Sequence, residues 1–265
     1  MEIIKMFHAE TYPKEIIAVR ERLQDIPNSE KQKLREIEFL RDYMSDIIWK
    51  PDSPIGIIHN DLMEKLENHE IVLYHNTRIL DIDELKKGGL IFSDERYINS
   101  LIRSMKKVKI DSELIDEVIE IIEKEISRWK ERDGKNRRKN AVCYIYDMDY
   151  YRDYEKFLVT YGGEFMEFGL SGKVGDTFTK YKDVVRIGSP CVVEFSVPYK
   201  WFHEFEKMDI ARYMIEEWLH LDIIGDDVSH QYDGHIEKEI SPEKIMNIHI
   251  VEDDFQNWYE YFGIE

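Results

Sequence analysis

Residues 71–78 read Ile71-Val72-Leu73-Tyr74-His75-Asn76-Thr77-Arg78, an apolar run that passes directly into an imidazole, an amide, a hydroxyl and a guanidinium. The β-branched start predicts a buried strand over Ile71–Tyr74. The polar residues after it are expected to emerge together at the strand end. They offer hydrogen-bond donors and acceptors suited to a ribose, a carboxamide and a phosphate. The same segment also reads as a plain polar strand end in which Asn76 or Thr77 caps the following helix.

N-terminal to this run the pattern is helical. Pro13 suits a first helical turn, with Ile16, Ile17, Val19 and Leu23 behind it at helix-compatible spacing. Ser29 is the expected N-cap of one long second helix that carries Leu34, Ile37, Leu40, Tyr43, Met44, Ile47 and Ile48. Pro51 and Pro54 are expected to end it, and a short helix over 60–66 follows. C-terminal to the run, Ile79–Leu85 reads as a short helix stopped by Gly88-Gly89. Residues 112–131 read as a long amphipathic helix with Asp111 as its N-cap and Leu114, Ile115, Val118, Ile121, Ile122 and Ile126 on one stripe.

The last third carries strand patterns at 141–146, 191–197, 235–240 and 245–251, with a helix over 210–219. The last two strands are expected to be joined by a turn at Ser241-Pro242-Glu243. The strands are short and separated by unequal insertions, unlike the regular alternation of a doubly wound sheet. The pattern therefore predicts an α+β chain with a mixed or antiparallel sheet and a helical N-terminal region.

Composition narrows the function classes. The chain has 265 residues, 43% apolar and 12% aromatic, enough to fill a core. Its formal net charge of −18 repels nucleic-acid phosphates and anionic membrane at long range and could draw in a basic protein partner. No run approaches the length of a membrane span, and the first residues lack the pattern of a signal peptide, so a cytoplasmic address is expected. Cys143 and Cys191 each sit in an apolar run and are expected to be buried, inert thiols.

The familiar catalytic motifs are absent: there is no phosphate loop, no G-x-G-x-x-G, no C-x-x-C, no H-E-x-x-H and no G-x-S-x-G. Asp226, Asp227, His230, Asp233 and His235 cluster locally, but their spacing matches no familiar metal site. Two further segments could carry chemistry. In Val159-Thr160-Tyr161-Gly162-Gly163-Glu164-Phe165 the paired glycines allow close backbone approach, and Tyr161 or Phe165 could stack on a flat ring. An ordinary tight turn would read the same way. In residues 233–240, strand alternation puts Ile236 and Ile240 on one face and Asp233, His235, Glu237 and Glu239 on the other. Such a row of acids either faces solvent or supplies one carboxylate to a cleft.

Taken in order, these three segments resemble the ADP-ribosyltransferase superfamily, which includes toxins, phage-defence enzymes and counter-defence enzymes. The strand with Tyr74-His75-x-Thr77-Arg78, followed by Gly89-Leu90, is similar to that family's first NAD-binding strand. An acid, a strand and Ile240-x-Pro242-x-x-Ile245 are similar to its closing region. The resemblance covers roughly residues 70–250. It implies a split mixed or antiparallel sheet core over residues 70–265, with a helical N-terminal region at 1–69 and a long helical insertion at 94–139.

It also implies NAD as substrate and an unknown protein or nucleic-acid acceptor, in the setting of a toxin or of phage conflict. NAD glycohydrolase activity on the same scaffold is a variant of this reading. Tyr74, His75, Asn76, Thr77 and Arg78 would line the NAD site. His75 would orient the nicotinamide ribose, the backbone at Asn76 would hold the carboxamide, and Arg78 would approach a phosphate or ribose. Tyr161 or Phe165, on either side of Gly162-Gly163, would lie near the nicotinamide ring. The catalytic acid would be Asp233 first and Glu237 second. Most of the family uses glutamate, and its usual glycine after the histidine is Asn76 here. The family does not account for the basic stretch ending the insertion, with Arg132, Lys135, Arg137, Arg138 and Lys139. It reads either as a solvated loop or as a contact for an acidic target, a nucleic acid or the NAD pyrophosphate.

Overall fold

The computed structural model describes residues 2–37, 39–92, 95–108, 111–133, 142–159, 161, 184, 186–225 and 233–255. The chain is α+β and forms two units. One comprises Met1–Leu73 and Ser196–Gly234, the other Tyr74–Phe195 and His235–Glu265.

The first unit is mainly helical. It contains β1 (Ile3–Ile4), α1 (Lys14–Glu21), α2 (Asn28–Glu36), α3 (Leu40–Ile47), α4 (Pro54–Leu66) and α9 (Glu204–Leu219). The expected long second helix is two helices, because Ile37 and Phe39 are extended. At 3.6 residues per turn, Leu34 and Leu40 in one continuous helix would project roughly 120° apart. The break lets both be buried, as they are. Pro54 starts a helix rather than ending one. It occupies the first turn of α4, where its missing N–H costs nothing, and the Ser53 hydroxyl accepts from the Gly56 N–H. From Ile210 to Leu219, α9 is buried all round, Arg212 included. The Arg212 guanidinium pairs with Asp209 at 2.8 Å and Glu216 at 3.5 Å, which keeps its charge compensated.

The second unit holds most of the sheet. Its elements are the continuation of β2 (Glu70–Ile79), α5 (Ile82–Gly88), α6 (Glu95–Met105), α7 (Ser112–Asp133), β3 (Val142–Ile145), α8 (Lys156–Val159), most of β4 (Ser189–Pro198), the end of β5 (Asp233–Ile236) and β6 (Ile245–Ile250). The strand order is β5-β3-β2-β4-β6, with β1 pairing β2 off this path. The β1–β2 pair is parallel, whereas β2–β3 and β4–β6 are antiparallel, so the sheet is mixed. Tyr74 stands opposite Ile145, and Val192 opposite His249.

The expected joining of the last two strands as neighbours does not occur, for β5 and β6 lie at opposite ends of the strand path. The segment between them is held elsewhere: Ile240 forms an isolated bridge with Leu90, exchanging N–H···O bonds of 2.9 Å in both directions. Gly89 makes this possible. It takes φ of +74°, and a Cβ there would lie 2.1 Å from the Ile240 carbonyl oxygen.

The helices of the 94–139 stretch form part of this unit's core. Leu101 and Met105 of α6 and Ile115, Val118 and Ile122 of α7 pack with Leu158, Val159, Tyr161, Val184, Ile187 and Phe255. Ile115, Val118 and Ile122 belong to the stripe that the spacing of α7 predicts, and the Asp111 carboxylate accepts from the Glu113 N–H at its start.

Candidate functional site

The strand through residues 70–79 is longer than the apolar run suggests. Residues 74–78 are therefore inside a paired strand and not at its end. Successive side chains must face opposite sides of the sheet. Tyr74, Asn76 and Arg78 share the more buried face, and His75 and Thr77 the other. The expectation that these side chains emerge together is corrected by this pleat.

Arg78 is fully engaged by protein. Its Nε donates to the Ile187 carbonyl at 3.1 Å. One terminal nitrogen donates to the Leu158 carbonyl at 2.9 Å and to Asp253 at 3.2 Å. The other donates to the Arg186 carbonyl at 3.1 Å and to Asp253 at 2.5 Å. All five N–H groups have acceptors, and the side chain is 1% exposed. The bidentate fork ties β2 to the end of α8, to the approach to β4 and to the segment after β6. This differs from the phosphate or ribose contact that the resemblance implies: a saturated, buried guanidinium has no donor left for a ligand.

The Asn76 amide is similarly turned into the protein, donating to the carbonyls of Tyr151 at 2.8 Å and Tyr154 at 3.3 Å. Its Oδ1 is buried without a partner. Tyr161 is a core residue of the α6–α7 cluster, and burial pushes its phenol up to about 12. That placement is a packing role, where the sequence pattern suggested a ring platform. Gly162, Gly163 and Phe165 lie outside the described residues, as do Asp226, Asp227 and His230 of the histidine–aspartate cluster. The basic residues Lys135, Arg137, Arg138 and Lys139 do as well.

His75 is the residue on this strand with chemistry to spare. It is half-buried, and its Nδ1 is 2.7 Å from the Cys143 carbonyl oxygen. A carbonyl only accepts, so Nδ1 carries the proton in that bond. Desolvation lowers the pKa below the ordinary histidine value, outweighing the carbonyl bond that raises it. The ring is thus neutral near pH 7, with Nε2 holding a lone pair. No other hydrogen bond to the ring exists among the described residues. A fixed neutral imidazole of this kind accepts a hydrogen bond from a hydroxyl or takes its proton. Thr77 adds a hydroxyl on the same face.

The two acid candidates separate. Asp233 opens β5 and belongs to the first unit, whereas Glu237, just past β5, belongs to the same unit as His75. Both are exposed. Glu239 is committed to an ion pair with Arg96 and accepts from the Phe92 N–H at 3.3 Å.

No protein-family model, curated protein or solved structure matches this chain.

Two acids beside Tyr74 went unread in the sequence. Tyr74, Glu194 of β4 and Asp147 are all buried on or beside the sheet. Burial raises the Tyr74 pKa, and the charges of Glu194, Asp147 and Asp149 add to that. Glu194 holds His249 of β6 by a 2.9 Å contact to Nε2. An acid in the apolar run Cys191-Val192-Val193-Glu194-Phe195 was the available signal. A carboxylate at an inward position of a buried strand needs a partner, and His249, opposite Val192 and so diagonal to Glu194, supplies it.

Proposed function

We propose that the chain is an NAD-dependent ADP-ribosyltransferase acting on a macromolecular acceptor, a protein or a nucleic acid. The observation that carries the reading is His75: a neutral, half-buried imidazole at mid-strand, its Nδ1–H fixed on a backbone carbonyl. Such a ring holds a ribose hydroxyl through Nε2 without competing charge. Glu237 is the acid of the reading, because it shares a unit with His75 and is of the type the family uses. Its carboxylate would accept a hydrogen bond from a ribose hydroxyl and stabilise the positive charge that develops on the sugar. The N-glycosidic bond breaks, its electron pair leaves with nicotinamide, and an acceptor nucleophile bonds to the sugar carbon and loses its proton. Arg78 and the Asn76 side chain contribute by fixing β2, and the Asn76 backbone is left to hold the carboxamide.

Nicotinamide release from NAD, followed by chromatography without added metal, tests this. Glu237→Gln and His75→Ala should each lower the rate by about 10²–10³-fold, the range for removing one group that stabilises the transition state. Asp233→Asn should retain most activity. Unchanged release in both of the first two variants would overturn the reading, and loss confined to Asp233→Asn would move the acid to the other unit.

The net charge of −18 supports a second reading, a non-catalytic acidic protein that occupies a basic partner surface. It requires binding that weakens steeply with salt.

A further inference from the structure

In the first unit, three side chains with metal-ligating atoms converge. One ring nitrogen of His69 and one carboxylate oxygen each of Glu2 and Glu15 lie within 4.8 Å of one another. Backbone pairing builds the arrangement. β1 runs parallel to the start of β2 with Ile3 opposite Glu70, and the Glu70 N–H donates to the Glu2 carbonyl at 3.1 Å. This pairing brings the residues immediately before the two strands, Glu2 and His69, side by side. The His69 carbonyl accepts from the Tyr199 N–H at 3.0 Å, which fixes the backbone that carries the ring. Glu15 comes from the first turn of α1.

Two features set this group apart from a chance gathering of surface acids. His69 is 4% exposed, its ring makes one hydrogen-bonding contact, Nε2 to Glu15 Oε1 at 3.2 Å, and its Nδ1 is buried without a partner. A buried imidazole thus turns toward two carboxylates rather than toward solvent. Neither carboxylate has a lysine or arginine partner among the described residues, so two like charges share the space with only the imidazole between them.

We propose that Glu2, Glu15 and His69 form a binding site for a divalent transition-metal ion of the zinc class. One imidazole nitrogen and two carboxylate oxygens are a ligand set that such ions accept, with water completing the coordination. The ion would supply the positive charge that the two carboxylates lack. The exposed sides of Glu2 and Glu15 give it a path from solvent.

Titration calorimetry with zinc chloride on the full chain, after treatment with chelator, tests the site. Zinc should bind, and Glu2→Gln and Glu15→Gln should each weaken affinity by at least about 10-fold, the loss seen even for residues that only support a metal ligand. Both positions are exposed, so the substitutions leave the fold intact. His69→Asn should do the same, with circular dichroism as its folding check. Absence of zinc binding would overturn the site. Binding unchanged in Glu2→Gln and Glu15→Gln would also overturn it, and would place the ion on other residues.

Discussion

Replacing Arg78 with methionine removes a guanidinium of nearly the same reach while keeping an apolar side chain in its place. Four backbone carbonyls, those of Leu158, Val159, Arg186 and Ile187, then lose a donor, and the Asp253 carboxylate loses its bidentate partner but keeps Arg186 at 3.8 Å. Charge-assisted hydrogen bonds contribute about 1.5–3 kcal/mol each, but a straight sum over this group would count one desolvation several times. Breaking a buried ion pair by removing one partner costs about 3–5 kcal/mol in all. Asp253 is 33% exposed, so water can take up part of its lost pairing, and the lower half of that range is the better expectation. With a urea slope of roughly 1–3 kcal/mol/M, the unfolding midpoint should fall by about 1 M or more. Arg78→Lys should recover little, since one ammonium cannot reach acceptors spread around a planar fork. Asp253→Asn should also cost about 3 kcal/mol, because it leaves the buried Arg78 charge without its carboxylate. A wild-type midpoint in Arg78→Met, combined with loss of NAD binding, would refute this reasoning and return the guanidinium to a ligand.

Other expectations follow from burial and backbone geometry. Burial lowers the pKa of His75 and of His59, so the unfolded chain takes up protons near pH 6.5 that the folded rings refuse. Stability should therefore be full above that value and decline as pH falls from it toward the depressed folded pKa values. His75→Gln should flatten the slope in urea titrations between pH 7 and 5; an unaltered slope would contradict a neutral His75. Gly89→Ala should destabilise by more than about 1 kcal/mol in the same assay, since it places a Cβ against the Ile240 carbonyl at a positive φ. Contrary to the expectation of two inert thiols, Cys143 is exposed whereas burial pushes the Cys191 thiol up to about 12. Iodoacetamide should accordingly label one thiol in the native protein and two after unfolding, and labelling of both at equal rates would contradict the placement of Cys191.

The sequence made some of this architecture legible. The α7 stripe, the glycine stop of α5 and the apolar cores of β2 and β4 follow from spacing and residue type, because each is decided within a few residues. Other features depend on distant partners. Nothing within residues 34–40 shows that Leu34 and Leu40 each need burial, so the break between α2 and α3 was hidden. The segment 235–251 looks like a hairpin locally, yet Leu90 captures Ile240 and β6 pairs with β4. In the candidate site, residue types at 74–78 were readable but their directions were not. The full length of β2 decides them, and it sends Arg78 to Asp253, a partner 175 residues away. His75 retains its proposed role because its one hydrogen bond leaves Nε2 available.

The central claim is that the His75 face binds NAD, and calorimetry with NAD up to millimolar concentration tests it most directly. The account predicts saturable binding by the wild-type chain, lost in His75→Ala and retained in Asp233→Asn. No binding at millimolar NAD, or binding undiminished in His75→Ala, would contradict it.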